Sequence, residues 1–401
     1  MSMSQPFWMP GIRDPQARGE ASALPDRVDV AVVGAGIAGG VAALLLARAG
    51  ARVAVLDVRS PGRGATGRSA GFLIRGTADH PDRVAAGIGQ DRALTLWRFT
   101  ADSVELLVRL VSDEGIDCGL RRDGSLVLAL DDDERRSVEA SVALVGEGEL
   151  WSADEVERRA GFVGATVGWF RAGDGMLHPF RLARGLAEAA ARHGARVIEG
   201  IQVHRVDDAA GSTILHTDRG DLLAGAVVIA VNSALGDLEP GLGRVIQPVR
   251  AQMHATEPSS SAGRLPWPVY ANHGYEYWRQ QPSGEFLFGG CRWASEGARE
   301  VGVRDDSCAS PAIHEAQRAF VRRHLPRLAS LAVRHCWTGI MAFTPDGLPL
   351  VGAVPGHERR LVCAGWNGHG LALAPLSAAL LVNRLLGRGG PDPPEMFAPG
   401  R

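Results

Sequence analysis

The sequence predicts an α/β fold: a parallel sheet flanked by helices, with an α+β unit inserted into it and built on an antiparallel sheet. Three observations predict it. First, the apolar run Val28 to Val33 breaks at a glycine turn, passes into an Ala- and Leu-rich stretch without breakers, and is followed by a second apolar run, Arg52 to Leu56. That order reads strand, helix, strand, as in a buried parallel unit. Second, strand-like apolar runs return at Val227–Ala234 and in LVCAG near the C-terminus. Third, the segments between them, VIQPVRAQMHATEP, EYWRQ and EFLFGGCRW, are rich in aromatic and β-branched residues and suit an antiparallel sheet.

Gly34, Gly36 and Gly39 give the spacing G-x-G-x-x-G directly after the first strand. Gly34 permits the tight turn, Gly36 lets the backbone approach a pyrophosphate, and Gly39 lets the helix pack on the sheet. The helix N-terminus offers unpaired N–H groups to phosphates. Asp57 ends the second strand, where a carboxylate accepts hydrogen bonds from ribose hydroxyls. The sheet is therefore predicted to be Rossmann-like and to bind a dinucleotide. A lone glycine fingerprint is weak in a chain with 51 glycines; its setting between strand, helix, strand and acid gives it weight.

A chain of 401 residues is long enough for two domains. Its formal net charge of -2 gives no reason to expect nucleic acid or an anionic membrane as a partner. All 43 basic side chains are arginine, so no lysine is present to act as a base or an oxygen-activating cation. The five cysteines, Cys118, Cys291, Cys308, Cys336 and Cys363, contain no C-x-x-C and form neither a disulfide framework nor a zinc pattern, and no metal site is predicted. No apolar run reaches spanning length and the N-terminus lacks a long apolar core, so a soluble, cytoplasmic protein is expected.

Along the chain, residues 1–25 read as an N-terminal arm, with Phe7 and Trp8 either anchoring it or lying in a disordered tail. The loop after Asp57, RSPGRGATGRSAGFLIRG, has small residues that free backbone N–H groups, while Arg63 or Arg68 adds charge for a diphosphate. Asp91 to Glu114 has helical spacing, GSLVLAL is a strand, DDDERR opens a helix, and WSADEVERR is a short helix capped by Ser152 and Glu155. Ala312 to Leu325 is helical. The chain ends in a strand, a glycine-rich turn and a long apolar helix. No internal repeat or second dinucleotide fingerprint is found.

Four blocks carry a resemblance to the D-amino acid oxidase superfamily of flavoproteins, on the branch with glycine oxidase, sarcosine oxidase and gamma-glutamylputrescine oxidase. They are DVAVVGAGIAG with Asp57, GATGRSAGF, GMLHPFRLARGLA, and TPDGLPLVG followed by AGWNGHGLALAP. The resemblance implies FAD. It places Gly34, Gly36, Gly39 and Asp57 on the pyrophosphate and adenosine ribose, and Arg63, Arg68 and Ser69 near the diphosphate and flavin. Val203 would pair its backbone with the adenine, and Gly368, Gly370 and Leu371 would lie against the pyrimidine end of the flavin. It also implies discontinuous domains: 26–80, 171–240 and 335–390 for the cofactor, 81–170 and 241–334 for the substrate. The cysteine that anchors FAD in some relatives falls at about Gly339, so noncovalent FAD is expected. The lysine after G-H-G reads Ala372, which removes one carboxylate partner.

Period-2 alternation places Tyr275, Tyr277 and Arg279 on one face of a strand, where two phenols and a guanidinium suit an amine with a distal polar or anionic group. Cys291, Arg292 and Trp293 form a second cluster; an exposed sheet surface is the plain alternative for both. His178, Met253 and His254 are further candidates, each equally well explained by packing. Arg279, Tyr277, His369 and Trp366 are the expected catalytic residues. The expected reaction is hydride removal from the carbon next to nitrogen of a small-molecule amine or amino acid, with molecular oxygen as acceptor, giving an imine and hydrogen peroxide. The alternative is a dehydrogenase of an amine or hydroxy acid that uses another acceptor. The sequence leaves the oligomeric state open.

Overall fold

The computed structural model describes residues 6–9, 23–259, 265–297 and 299–401. Strand β1 (Arg27–Val33), helix α1 (Ile37–Arg48) and strand β2 (Val53–Asp57) follow one another as the apolar runs predict. Ten of the twelve residues of α1 are buried, which is why it has no polar face: it is covered by the sheet on one side and by other helices on the rest. Around β1 the sheet grows in both directions. β1 pairs in parallel with β2 and with Gly220–Ile229; β2 pairs in parallel with Arg196–Glu199; Gly220–Ile229 pairs in parallel with His357–Ala364. The strand order therefore reverses beside β1, and the crevice beyond the carboxyl ends of the strands at that point is where such sheets bind ligands.

A second sheet of eight strands runs in the order Val333–Phe343, Gln247–Pro258, Glu285–Gly290, Glu276–Gln280, Val269–Ala271, Ser125–Ala129, Val167–Arg171, Glu149–Ser152. It is antiparallel except where Val269–Ala271 meets Ser125–Ala129 in parallel. The α/β class with an antiparallel second sheet is thus as expected. One helix sits differently from its place in the chain. Gln90–Asp113 lies in the stretch expected to serve the substrate unit, yet Leu96, Phe99, Val104 and Leu107 are buried with α1 and with the closing helix Gly370–Leu385, in the core of the first sheet. Its apolar stripe finds a large apolar surface there, and Ser103 receives the N–H of Leu376 at 3.0 Å.

The predicted cap is present: Ser152 and Glu155 form a reciprocal capping box. The DDDERR helix begins one residue later than its first acid, because the Asp131 side chain caps it by accepting the N–H of Glu134 at 2.8 Å. Trp8 and Met9 are buried, and Trp8 donates its indole N–H to the Ser69 carbonyl at 2.8 Å, so this part of the arm is anchored; residues 10–22 lie outside the described residues. Among the described residues no helix is long and apolar enough to cross a membrane.

A Cβ on Gly39 would fall 1.8 Å from the Gly34 carbonyl oxygen, which is backbone that cannot swing aside. Gly39→Ala is expected to cost about 1–3 kcal/mol, as overpacking does. It should be read as a lower midpoint of urea unfolding; an unchanged midpoint would show that the turn has slack.

Candidate functional site: one cavity from the glycine turn to the second sheet

At the carboxyl end of β1 the chain turns at Gly34 with φ 101°, a conformation that side chains rarely adopt, and a Cβ there would meet the Ala230 carbonyl at 2.7 Å. Gly36 caps α1 without a side chain of its own, and the Ile37 N–H is taken by Thr66 Oγ1 at 3.1 Å. Asp57 closes the other side. Its Oδ2 accepts the N–H of Ala35 at 2.7 Å and its Oδ1 that of Arg59 at 2.8 Å. Burial pushes its carboxyl above the usual range, while these two N–H groups and the Arg59 charge pull it back. An ionised carboxylate has about four acceptor positions, so lone pairs remain for two ribose hydroxyls.

A cavity of about 800 Å³ opens from this turn, toward the upper end of the ~300–1,000 Å³ typical of small-molecule sites. Ile201, Val203 and Val231 line one end; Gly34, Gly36, Asp57 and Thr66 the middle; Arg68 to Phe72, Gly339 and Trp366 to Ala372 the next part. The far lobe lies on the second sheet. All three tyrosines of the chain, Tyr270, Tyr275 and Tyr277, line it, with Arg292, His80 and His273. This shape fits an extended dinucleotide: a cradle that a Cβ would fill, an acid beside it, and a helix N-terminus in the lining. None of the five cysteines lines the cavity.

Of the residues singled out in the sequence, Gly34, Gly36, Asp57, Arg68, Ser69, Val203, Tyr277, Trp366, Gly368, His369, Gly370 and Leu371 line this cavity, and Gly39 stands directly behind it. Arg68 spans the turn, with Nη1 on the Thr338 carbonyl at 2.8 Å and Nε 3.3 Å from Asp306. Ser69 donates to the Thr66 carbonyl at 2.8 Å. His369 lies against Tyr270 with ring centroids 5.7 Å apart; burial pushes its imidazole down to about 4, so it is neutral at pH 7. Tyr277 lies flat over Gly289, and burial raises its phenol to about 12.

Two expected residues are not in the cavity. Arg63 is buried in its loop, which folds against helix Pro179–Arg192: a Cβ on Gly62 would lie 2.8 Å from Ala183. Arg279 shares its strand face with Tyr277 but points under the neighbouring loop. Its Nη1 donates to the carbonyls of Leu177, Ala70 and Gly71 at 2.7, 3.1 and 3.2 Å, and its guanidinium sits 5.3 Å from the Trp8 ring. Alternation gives the face of a strand, not how far along it the cavity reaches. Of the further candidates, Met253 lines the cavity, whereas His178 caps a helix and His254 is buried on Gln317.

Arg75 and Arg171 line the cavity bound to Asp174; the further guanidinium in the far lobe is Arg292. It is half-buried, 5.4 Å from the Tyr275 ring and 5.7 Å from the Phe343 ring. Among the described residues it has no hydrogen-bond or ion-pair partner; nearby Glu300 is taken by Arg250 and Ser295. Thr66 and Tyr270 carried no sequence signal beyond their types. The rarity of tyrosine was the one available hint.

The fold and this cavity define a dinucleotide-binding protein with a second sheet closing over the reactive end. The chain belongs to the FAD dependent oxidoreductase family, whose sequence pattern matches residues 29–384. It is similar to a probable oxidoreductase OrdL of Haemophilus influenzae, 26% identical over 90% of this chain and 84% of the relative. It is also similar to gamma-glutamylputrescine oxidoreductase of Escherichia coli (28%, 90% and 84%) and to glycine oxidase of Bacillus licheniformis (28%, 90% and 94%). Among solved structures, glycine oxidase from Geobacillus kaustophilus superposes with a TM-score of 0.80 over 93% of this chain and 98% of that one, at 23% identity. L-proline dehydrogenase from P. horikoshii gives 0.78 over 94% and 98%, at 21%. At these identities the superpositions speak for the fold.

Arg279→Leu removes the donor of three buried carbonyls, and a loss on the order of 3 kcal/mol is expected. A lower urea midpoint with KM unchanged is the anticipated pattern. An unchanged midpoint with a raised KM would return Arg279 to the substrate site.

Proposed function

We propose that this protein is an FAD-dependent oxidase of an amine or amino acid whose substrate also carries an anionic group. The observation that carries this reading is the continuity of a single cavity. It joins the glycine cradle and Asp57 to an aromatic lobe holding Arg292, a guanidinium with no ion-pair partner among the described residues. Residues 26–80, 171–240 and 335–390 would hold the cofactor, and 81–170 and 241–334 would shape the substrate lobe. Noncovalent attachment is supported by Gly339 in the cavity wall and by a lining that contains none of the five cysteines. Bound FAD would supply the two-electron acceptor that turns the C–N bond into an imine, with reoxidation by oxygen giving hydrogen peroxide.

The chain's own groups bind and orient. Arg292, flanked by Tyr275 and Phe343, would take a carboxylate in charge-assisted hydrogen bonds. Tyr270 and Tyr277, kept protonated by burial, can donate but cannot take up a proton at neutral pH. His369 is held neutral and packs the floor of the lobe. Gly370 and Leu371, at the N-terminus of Gly370–Leu385, line the cavity, where the helix end would favour negative charge developing on a bound ring. Trp366 walls the same turn and excludes water.

The absence of lysine favours one rival, a dehydrogenase of the same substrates that passes electrons to an acceptor other than oxygen. Anaerobic mixing with amines, amino acids and hydroxy acids is expected to bleach the yellow absorbance with the first two classes. Air should restore it with one peroxide per turnover. Slow return of colour in air would establish the dehydrogenase instead. Arg292→Gln is expected to raise KM for an acid-bearing amine about tenfold or more, with kcat little changed, as loss of a charged hydrogen bond does.

A further inference from the structure

The far lobe ends on three donor groups from three separate elements. His80 is the residue before helix Pro81–Ile88, Glu134 lies in the first turn of Asp132–Val145, and His273 sits in the turn after strand Val269–Ala271. His80 and Glu134 are buried, with 7% and 1% exposure. His80 Nε2 lies 4.0 Å from Glu134 Oε1, and His273 Nδ1 lies 3.9 Å from the same oxygen. Neither nitrogen has a hydrogen-bond partner among the described residues, although both are shut off from solvent. A buried polar atom without a partner is uncommon enough to need a cause, and an ion is one such cause.

Hydrogen bonding fixes which way the His80 ring is protonated. Ser137 donates its hydroxyl to Asp82 at 2.6 Å, so its oxygen is left to accept from His80 Nδ1 at 3.0 Å. Nδ1 therefore carries the proton, and the lone pair of Nε2 is aimed at a carboxylate oxygen. Two acceptors facing each other in a buried site repel unless a cation lies between them. A carboxylate behind a hydroxyl behind an imidazole is also the kind of outer arrangement that orients a metal-ligating histidine. The third ligand is held on strained backbone: Asn272 and His273 have φ of 52° and 53°, and the His273 N–H donates to Glu134 Oε1.

The geometry points to a binding site for a zinc-like divalent transition metal, made by His80, Glu134 and His273. Two imidazoles and a carboxylate suit such an ion better than calcium or magnesium, which prefer all-oxygen shells. The three ligand atoms lie within 4.8 Å of one another, so inward shifts of a few tenths of an ångström reach zinc bond lengths of about 2.0–2.2 Å. The His80 and His273 rings also line the cavity, so the ion would sit behind them, at the edge of the lobe. The positive charge of Arg171 in this lobe is matched by Asp174 at 2.9 Å. Arg83 competes: its Nη2 lies 3.3 Å from His273 Nε2, which holds the proton on Nδ1, and it must turn out before Nδ1 can bind. The site goes beyond the flavin chemistry and beyond the sequence, where Glu134 and His273 stand 139 positions apart.

The test is calorimetric titration of the full-length, flavin-loaded protein with Zn²⁺ after chelator treatment. One ion per chain is expected, with His80→Asn weakening it at least a hundredfold and Ser137→Ala by about 10–100-fold. Arg83→Ala should tighten it. Glu134 also supports its surrounding loops, so His273→Asn serves as the variant that folds, because asparagine accepts the left-handed turn; it too should abolish tight binding. Absence of saturable uptake, or uptake that survives both His80→Asn and His273→Asn, would overturn the site and leave a water between the three groups. This readout is independent of any amine being oxidised.

Discussion

The bond from the Ala35 N–H to Asp57 Oδ2, 2.7 Å long, ties the end of the second strand to the glycine turn that follows the first. The rest of the site depends on it. The turn can be that tight because Gly39 brings α1 against the Gly34 carbonyl, leaving no room for a Cβ. The helix N-terminus is thereby set at the crevice where the sheet order reverses, and the Asp57 carboxylate stands beside it. One hydrogen bond thus fixes the relative placement of three groups that a dinucleotide needs.

The second sheet meets this cradle through a small set of buried polar links. Arg279 draws three carbonyls from the loops at Ala70–Gly71 and Leu177 onto the strand Glu276–Gln280. Trp8 lies over the same guanidinium and holds the Ser69 carbonyl. Trp337, on the strand Val333–Phe343, donates to the Arg68 carbonyl at 2.9 Å. Each link satisfies backbone that would otherwise be buried without a partner, so the seam between the sheets is rigid where the cavity passes through it.

The permanent positive charges lining the cavity are all arginine. Arg68 is engaged with Asp306 and Thr338, and Arg171 with Asp174, so their charges are committed to structure. Arg292 is different in having aromatic neighbours and, among the described residues, no ion-pair partner. Near the closing helix the lining groups are neutral: protonated phenols, a deprotonated imidazole and a tryptophan. Such a lobe would suit the neutral amine proposed above, with its anionic group at Arg292.

The sequence by itself determined the local units. Strand–glycine–helix–strand–acid from Val28 to Asp57 was legible because each residue type there answers to a local backbone demand. The Ser152–Glu155 box and the alternation of the aromatic strands were legible for the same reason. Only the tertiary structure decided where arginines and histidines with identical local signals would go. Arg279 and Arg292 both sit beside a tryptophan in strand-like segments, yet one clamps carbonyls and the other faces the lobe. The His80–Glu134–His273 cluster and the docking of Gln90–Asp113 on the first sheet arise from contacts between distant segments. The physical reason is that side-chain direction follows local periodicity, whereas the partner waiting at the end of a side chain is supplied by whichever distant segment packs against it.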